Sequence, residues 1–464
     1  MSKMKEYAGV TKDRIMLYTF IALLVLAIIT IISWWDLVAI DIMTGMETGW
    51  PYGLALIGNI LIAVGIAVGI DTLISKVASD SQLNTLSAAV FGLIVALSYS
   101  MGLPTMRTES TDPLNAPGAF LWVGLITVVG EVVFKKLSSM KGRKFVNPAA
   151  AAKLIVMLPF FSTLLLPKDH LWDPNLMQGM GTGLGIPSLA GPIGYSVIGG
   201  NGADSFANYM ATCFSNPAVA AGSTQNDMIN LFLLQKFHGW PGGASSLAVI
   251  IVGIALFVIA RRYIKWRITL SYLGTMALMA VILHFAYPGG DLLLRLMFAL
   301  FVGSSIFLAF FMATDPATTP ITHMGQLVFG VGLGVLTTLI QTYMGFLGGS
   351  ILALVIMNLT SPMLDKVGKP KPTTETKEPK LPKGKQFATV KTTECMRCGA
   401  CMQVCCHKLS PILIKQAFDK MDVETLSKLN ADYCTGCGHC SFVCPARIDL
   451  KGSVLRSKAL LRQK

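Results

Sequence analysis

The sequence predicts an all-α polytopic membrane protein of about ten transmembrane helices that ends in a small, cysteine-rich α+β domain. Three observations carry this prediction. About ten apolar stretches are long enough to span, or nearly span, a bilayer, which needs roughly 20 residues. With 53% hydrophobic and 14% charged residues over 464 positions, the chain is too apolar for an ordinary soluble protein, yet residues 363–464 read as soluble. Nine of the ten cysteines fall in that last segment, in two tight runs of regular spacing.

The spans lie near 15–35, 52–75, 83–103, 117–134, 149–167, 244–262, 267–286, 291–313, 324–342 and 345–362. The fifth and the tenth are short, so one of them suits a re-entrant segment. Together they make a membrane domain of residues 1–362. Its two halves, about five spans each, admit an inverted repeat of the transporter kind. The N-terminal stretch MSKMKEYAGVTKDR is basic, but the apolar run behind it is long and lacks a small-residue cleavage site, so no cleavable signal peptide is expected.

Short loops set the orientation. Lys3, Lys5, Lys12 and Arg14 precede the first span. Lys135, Lys136, Lys141, Arg143 and Lys144 follow the fourth, and Arg261, Arg262, Lys265 and Arg267 follow the sixth. The segments 36–47 and 107–112 lean acidic. With ten spans, all three basic segments and both termini share one side, which the positive-inside rule makes cytoplasmic. The expected location is therefore the inner, cytoplasmic membrane, multi-pass.

Residues 168–243 form a long polar and glycine-rich segment that this count places outside; long loops of this sort are functional or disordered. Residues 363–392 read as a Pro/Lys-rich linker, kept extended and exposed by its prolines and like charges. The dicluster domain proper is 393–464. Residues 363–464 hold 19 Lys/Arg against 9 Asp/Glu, most of the chain's net charge of +13. Beside a membrane exit such charge points to anionic headgroups or an acidic partner rather than to nucleic acid. No low-complexity tract and no short repeat is evident.

The first cysteine run is Cys395, Cys398, Cys401 and Cys405; the second is Cys434, Cys437, Cys440 and Cys444, followed by Pro445. This is the spacing of bacterial 2[4Fe-4S] ferredoxins, in which the fourth cysteine of each run serves the other cluster. Three thiolates at three-residue intervals wrap one cubane, and backbone N–H groups of the loop can face its sulfurs. Cluster one is expected on Cys395, Cys398, Cys401 and Cys444, and cluster two on Cys434, Cys437, Cys440 and Cys405. Structural zinc also uses paired cysteines, but it wants four ligands, not two such runs. Cys406 stands where proline is usual, as a bystander or a competitor of Cys405; Cys213 stands apart.

Between the runs, PILIKQAFDKMDVETLSKLN reads as two short amphipathic helices joined by a turn. With CSFVCPARIDL and a basic helix after it, residues 393–464 resemble the ferredoxin module of the C subunit of Rnf-type ion-translocating complexes.

Three membrane stretches carry polar residues that bare spans do not need: GRKFVNPAAAAKL (142–154), GGASSLAVIIVGIALFVIARRYIKWRITLSYL (242–273) and FMATDPATTPITHMGQLVFGVGLGVLTTLI (311–340). Asn-Pro and Asp-Pro at a span end break the helix and free backbone groups, which lipid tolerates only inside protein or beside a cavity. In this order they resemble the D subunit of Rnf complexes and the related B subunit of sodium-pumping NADH:quinone reductase. The resemblance covers most of 1–362. It implies FMN bound through its phosphate to a threonine, with riboflavin as a further flavin. The family's Ser-Gly-Ala-Thr motif falls on Ala221-Gly222-Ser223-Thr224, with Thr224 as acceptor. Ala221 and Ser223 depart from the motif, and Ala218 replaces the usual acidic residue. The implied flavin pocket draws on Ser245, Ser246, Thr314 and Asp315.

Ionisable residues in or near spans are Asp71, Glu131, Lys153, His284 and Arg295. Asp71, Glu131 and Lys153 lie near span ends, where snorkelling or capping accounts for them; Glu131 is the first candidate for an ion path. His284 suits a satisfied interfacial site.

These readings converge on a membrane electron-transfer subunit of an Rnf-like ion-translocating oxidoreductase. Electrons pass between a cytoplasmic ferredoxin- or flavodoxin-type carrier, the two clusters and a membrane-domain flavin, linked to Na⁺ or H⁺ movement with other membrane and flavoprotein subunits. No dinucleotide fingerprint is visible, so NAD(H) chemistry would belong to another subunit, and no catalytic residue is expected on this chain. The competing readings are a solute transporter or channel regulated by a redox-sensing iron–sulfur tail, and an assembly scaffold with structural clusters.

Overall fold

The computed structural model describes residues 6–35, 52–77, 85–99, 118–137, 144–156, 233–234, 240–286, 292–302, 305–343, 349–368, 371–373, 376, 379–387 and 390–463. Within these residues the chain is mostly helical. The first half contributes α1 (Lys12–Ser33), α2 (Tyr52–Val77), α3 (Thr85–Ser98), α4 (Gly118–Val129) and α5 (Pro148–Val156). The second contributes α6 (Ser246–Ile259), α7 (Trp266–Ala286), α8 (Leu292–Met297), α9 (Ser305–Phe307), α10 (His323–Tyr343) and α11 (Gly349–Leu364). Each predicted span meets one of these elements. Four helices, α1, α2, α7 and α10, are long and apolar enough to cross a membrane.

These helices are apolar on both faces. Leu23, Ala63, Val249 and Tyr272 are buried in one continuous core, while Ile21, Leu61, Val258 and Phe285 on the same elements point outward. A helix without a polar face belongs in lipid, where all its backbone bonds are internal. Glycines let the helices approach closely. A Cβ on Gly92 of α3 would lie 2.8 Å from the Ala63 carbonyl of α2, and one on Gly330 of α10 would collide with Ser271 of α7.

Helix α4 continues as a π-helix over Gly130–Leu137, and the eighth span is interrupted by π-turns at Phe298–Val302 and Leu308–Met312. Asn147 opens α5: its Oδ1 accepts from Ala149 N and Ala150 N, and its amide donates to Met312 O at 3.2 Å. The two proline breaks, 147–148 and 315–316, therefore meet at one end of the bundle.

The tail carries α12 (Ala400–Gln403), α13 (Pro411–Asp419), α14 (Val423–Lys428), α15 (His439–Phe442) and α16 (Leu450–Arg462). The two helices expected between the cysteine runs are α13 and α14, and the basic C-terminal helix is α16. The β component is one antiparallel pair, β1 (Glu6–Ala8) with β2 (Gly384–Gln386), in register Tyr7 opposite Lys385. Neither strand lies in 393–463, which among the described residues is helix and loop. Most described residues of the predicted linker are exposed or half-buried, but Leu364 and Asp365 are buried, and the segment is not free: β2 pairs with the N-terminus, and Thr373 N donates to His407 O.

Residues 157–232 lie outside the described residues. With them go Cys213, Ser223, Thr224, most of the long outer segment and the part of the fifth span on which an inverted repeat would be judged.

Candidate metal centres

The cysteine runs fold as twins. From Cys395 to Cys434 is 39 residues, and the three left-handed positions of the first run recur at that offset in the second. Arg397 (φ 55°) matches Gly436 (φ 76°), Gly399 (77°) matches Gly438 (83°), and Lys408 (53°) matches Arg447 (54°). The short helix α12 matches α15. Arg397 N donates to Cys395 Sγ at 3.3 Å, and Gly436 N to Cys434 Sγ at 3.4 Å. The cysteine spacing announces this repeat, while the side chains between the cysteines match only at Gly399/Gly438 and Val404/Val443.

The loops bring the eight cysteines together in two groups. Cys405, Cys434, Cys437 and Cys440 line one small cavity. Cys398 and Cys401 lie close enough to Cys395 and Cys444 for each thiolate to disfavour the next. Burial is the larger effect: it is the main reason the thiols of Cys398 and Cys440 are pushed up to about 12 and that of Cys444 to about 11. Such a set becomes thiolate only beside a strongly cationic group. Left-handed turns that aim backbone N–H groups at sulfur supply the rest of the cradle. This donor set fits iron–sulfur clusters, and the region fits a small ferredoxin domain.

Cys406 lies beside the second group. Its Sγ is 3.2 Å from His439 Nδ1, and these atoms and Cys437 Sγ lie within 4.8 Å of one another. His407 fixes the nearby turn through Thr373 O and Thr435 Oγ1.

The first loop is seated on the membrane helices. Ile15 of α1 and Tyr263, between α6 and α7, pack with Met396, Cys398, Ala400 and Val404. Ile321 packs with Cys401 and Cys444. Arg397 forms a buried ion pair with Asp365, just past α11, and the other oxygen of Asp365 accepts from Ile321 N at 2.8 Å. Lys12 N donates to Pro445 O at 3.2 Å. Lys265 donates to Pro316 O and to both oxygens of Thr319 at 2.8–2.9 Å. Burial, with Arg397 nearby, pushes this ammonium down to about 7. Sequence reasoning missed Arg397, Asp365 and Ile321 because their partners are remote in the chain.

Where the tail meets the bundle lies a cavity of about 790 Å³, lined among others by Lys12, Asp71, Lys144, Asn147, Thr314, Asp315 and Cys395. Asp71 and Glu131 are fully buried and paired with Lys136 and Lys135 respectively. Lys153 is buried too, its ammonium over the Trp240 ring and donating to Ser98 O. None of the three snorkels: partners within the bundle take their charge instead. His284 Nδ1 has no partner among the described residues, contrary to the satisfied site expected. Arg295 falls on α8.

The four described residues of the implied flavin pocket do not converge. Thr314 and Asp315 line the cavity, with Asp315 accepting from Ala317 N and Thr318 Oγ1. Ser245 caps α6, and Ser246 is its first residue. That 14-residue helix is about 21 Å long, and its opposite end faces the cavity.

Residues 6–374 match the model of the NQR2, RnfD, RnfE family. The chain is 27% identical over 324 residues to the D subunit of the Na(+)-translocating ferredoxin:NAD(+) oxidoreductase complex of Acetobacterium woodii, covering 69% of this chain and 83% of that one. It is 27% identical over 339 residues to the D subunit of the ion-translocating oxidoreductase complex of Aeromonas hydrophila, covering 70% and 89%. The same-named protein of Stutzerimonas stutzeri is 28% identical over 297 residues, covering 59% and 78%. Both cysteine runs lie beyond the family match.

Proposed function

The chain belongs to the NQR2, RnfD, RnfE family, and from that premise we propose that it is the electron-transfer membrane subunit of an Rnf-like ion-translocating oxidoreductase with its own two-cluster relay. Its relatives are D subunits of such complexes, which supports partner subunits and coupling to Na⁺ or H⁺ here. The observation that carries the reading is the seat of the first cysteine loop. A tail that only reported redox state would need no buried ion pair to the last membrane helix.

Cys395, Cys398, Cys401 and Cys444 would hold one [4Fe–4S] cluster, and Cys405, Cys434, Cys437 and Cys440 the other. When bound, these groups supply one-electron redox chemistry. The chain's own residues set the conditions. The N–H groups of Arg397 and Gly436 donate to ligand sulfurs and so favour added negative charge. Ile15, Tyr263 and Ile321 exclude water from the first loop. Arg397 and Asp365 fix that loop against α11, so the path length to the bundle is constant. We place this face in the cytoplasm, because the basic segments around Lys12, Lys144 and Arg261 lie at the tail's end of the bundle. FMN is proposed on Thr224, the matching position of the family motif.

The test is mass spectrometry of a peptide spanning 205–236. An added FMN mass on Thr224 is the expected result; the mass on Thr212 or Ser223 would move the site, and no flavin anywhere on the chain would overturn the flavoprotein half of the reading.

A further inference from the structure

The twin loops are matched in backbone and opposite in surroundings. Met396, Cys398 and Ala400 of the first are buried under Ile15 and Tyr263, and Cys401 beside them packs on Ile321. At the positions 39 residues on, Thr435 and Cys437 are exposed and His439 is half-buried. Tyr433, 45% exposed, precedes Cys434, and the exposed Lys408 stands between His407 and Leu409, which line the same cavity as Cys437. Lys451 lines the cavity of the second cysteine group, and Lys458 donates to Cys434 O at 2.8 Å. Asp432 is the acidic residue of that loop. The patch is thus an exposed aromatic ring and a thiol loop with a basic rim, the anatomy of a transient interface.

We infer that the loop around Cys437 is the docking port for a small acidic protein carrying a one-electron redox centre, and that the first loop is an internal relay no soluble partner reaches. The inference rests on the proposed electron-transfer reading and gives it a direction in space. Charge complementarity identifies the partner: lysines on the rim steer an acidic surface and raise the rate of encounter in a salt-dependent way. In the step itself the carrier loses one electron and the tail gains one, or the reverse; no bond forms or breaks between them. The second loop meets the carrier, and the first hands the electron to the bundle on which it is seated.

The test uses the full chain, purified without air in lipid nanodiscs, with a reduced acidic bacterial ferredoxin as probe and dithionite as a small reductant. Stopped-flow spectroscopy follows bleaching of the iron–sulfur absorption. Lys408→Glu, an exposed change outside the lining of the cysteine cavity, is expected to slow the second-order reaction with ferredoxin at least threefold at low salt, with the difference shrinking as salt rises. Dithionite bleaching stays at the wild-type extent, which shows that the centres are intact. Lys408→Gln, which removes the charge without reversing it, is expected to give a smaller loss of the same kind. Wild-type rates indifferent to salt, or Lys408→Glu as fast as wild type with normal dithionite bleaching, would overturn the port while leaving the electron-transfer reading standing. A wild-type chain that dithionite does not bleach would overturn both.

Discussion

Arg397 holds a left-handed backbone at which its twin position has Gly436. For a residue with a side chain that conformation costs roughly 1–2 kcal/mol. The arginine is kept there because its guanidinium reaches Asp365, across the joint between tail and bundle. Arg397→Gly should therefore leave the loop able to fold, as its twin does, but unpair a buried carboxylate. Breaking a buried pair in this way costs about 3–5 kcal/mol. The expected outcome is a tail that keeps its iron but detaches, seen as faster proteolysis between residues 366 and 391. Cys405→Ala, by contrast, should remove about half of the iron, since in the proposed arrangement it would supply one of four ligands to one centre; Cys406→Ala should leave iron content unchanged. Iron analysis of the purified variants separates these outcomes. Lys265 adds a pH dependence. Its pKa in the folded chain is about 7, below its ordinary 10.5, so the folded state binds fewer protons than the unfolded state between those values. Stability should be lower below pH 7 and rise from there toward pH 10. Thermal midpoints at pH 7 and pH 9 check this, and Lys265→Met should flatten the rise.

At the scale of elements, the strand pair β1–β2 ties the N-terminal segment to the linker. Glu6–Ala8 pairs with residues some 380 positions away, and the Arg447 guanidinium stacks 3.7 Å from the Phe387 ring beside it. Deleting residues 2–9 should loosen the tail without unfolding the bundle, read as faster proteolysis of the linker with an unchanged thermal midpoint of the membrane part. The elements differ in how far the sequence announces them. Spans such as α1 and α7 are legible because a bilayer demands an apolar run of fixed length. The α13–α14 pair is legible from its 3.6-residue period. The strand pair is not, because EYA and GKQ carry no alternation that either segment alone would reveal. The cysteine groups are legible from spacing, while their seat on Ile15, Tyr263 and Ile321 depends on contacts between segments 80 to 383 residues apart. Asp71 and Glu131 mislead because nearness to a span end does not reveal that Lys135 and Lys136 fold back into the bundle beside them.

At the scale of the molecule, a family membrane domain and a two-loop cysteine-rich tail that fits a small ferredoxin domain are joined at a shared buried face, with a cavity of about 790 Å³ beside it. One loop faces the bundle and the other faces out, so the chain has a direction built into its packing. Everything functional in this account depends on redox-active clusters being held in both loops. The most direct test is electron paramagnetic resonance of the dithionite-reduced chain, isolated without air, with iron and acid-labile sulfide measured on the same sample. The account predicts about eight iron and eight sulfide per chain and the broadened signal of two reduced [4Fe–4S] centres close enough to interact. A chain without iron or labile sulfide, or one holding zinc in their place, would contradict it.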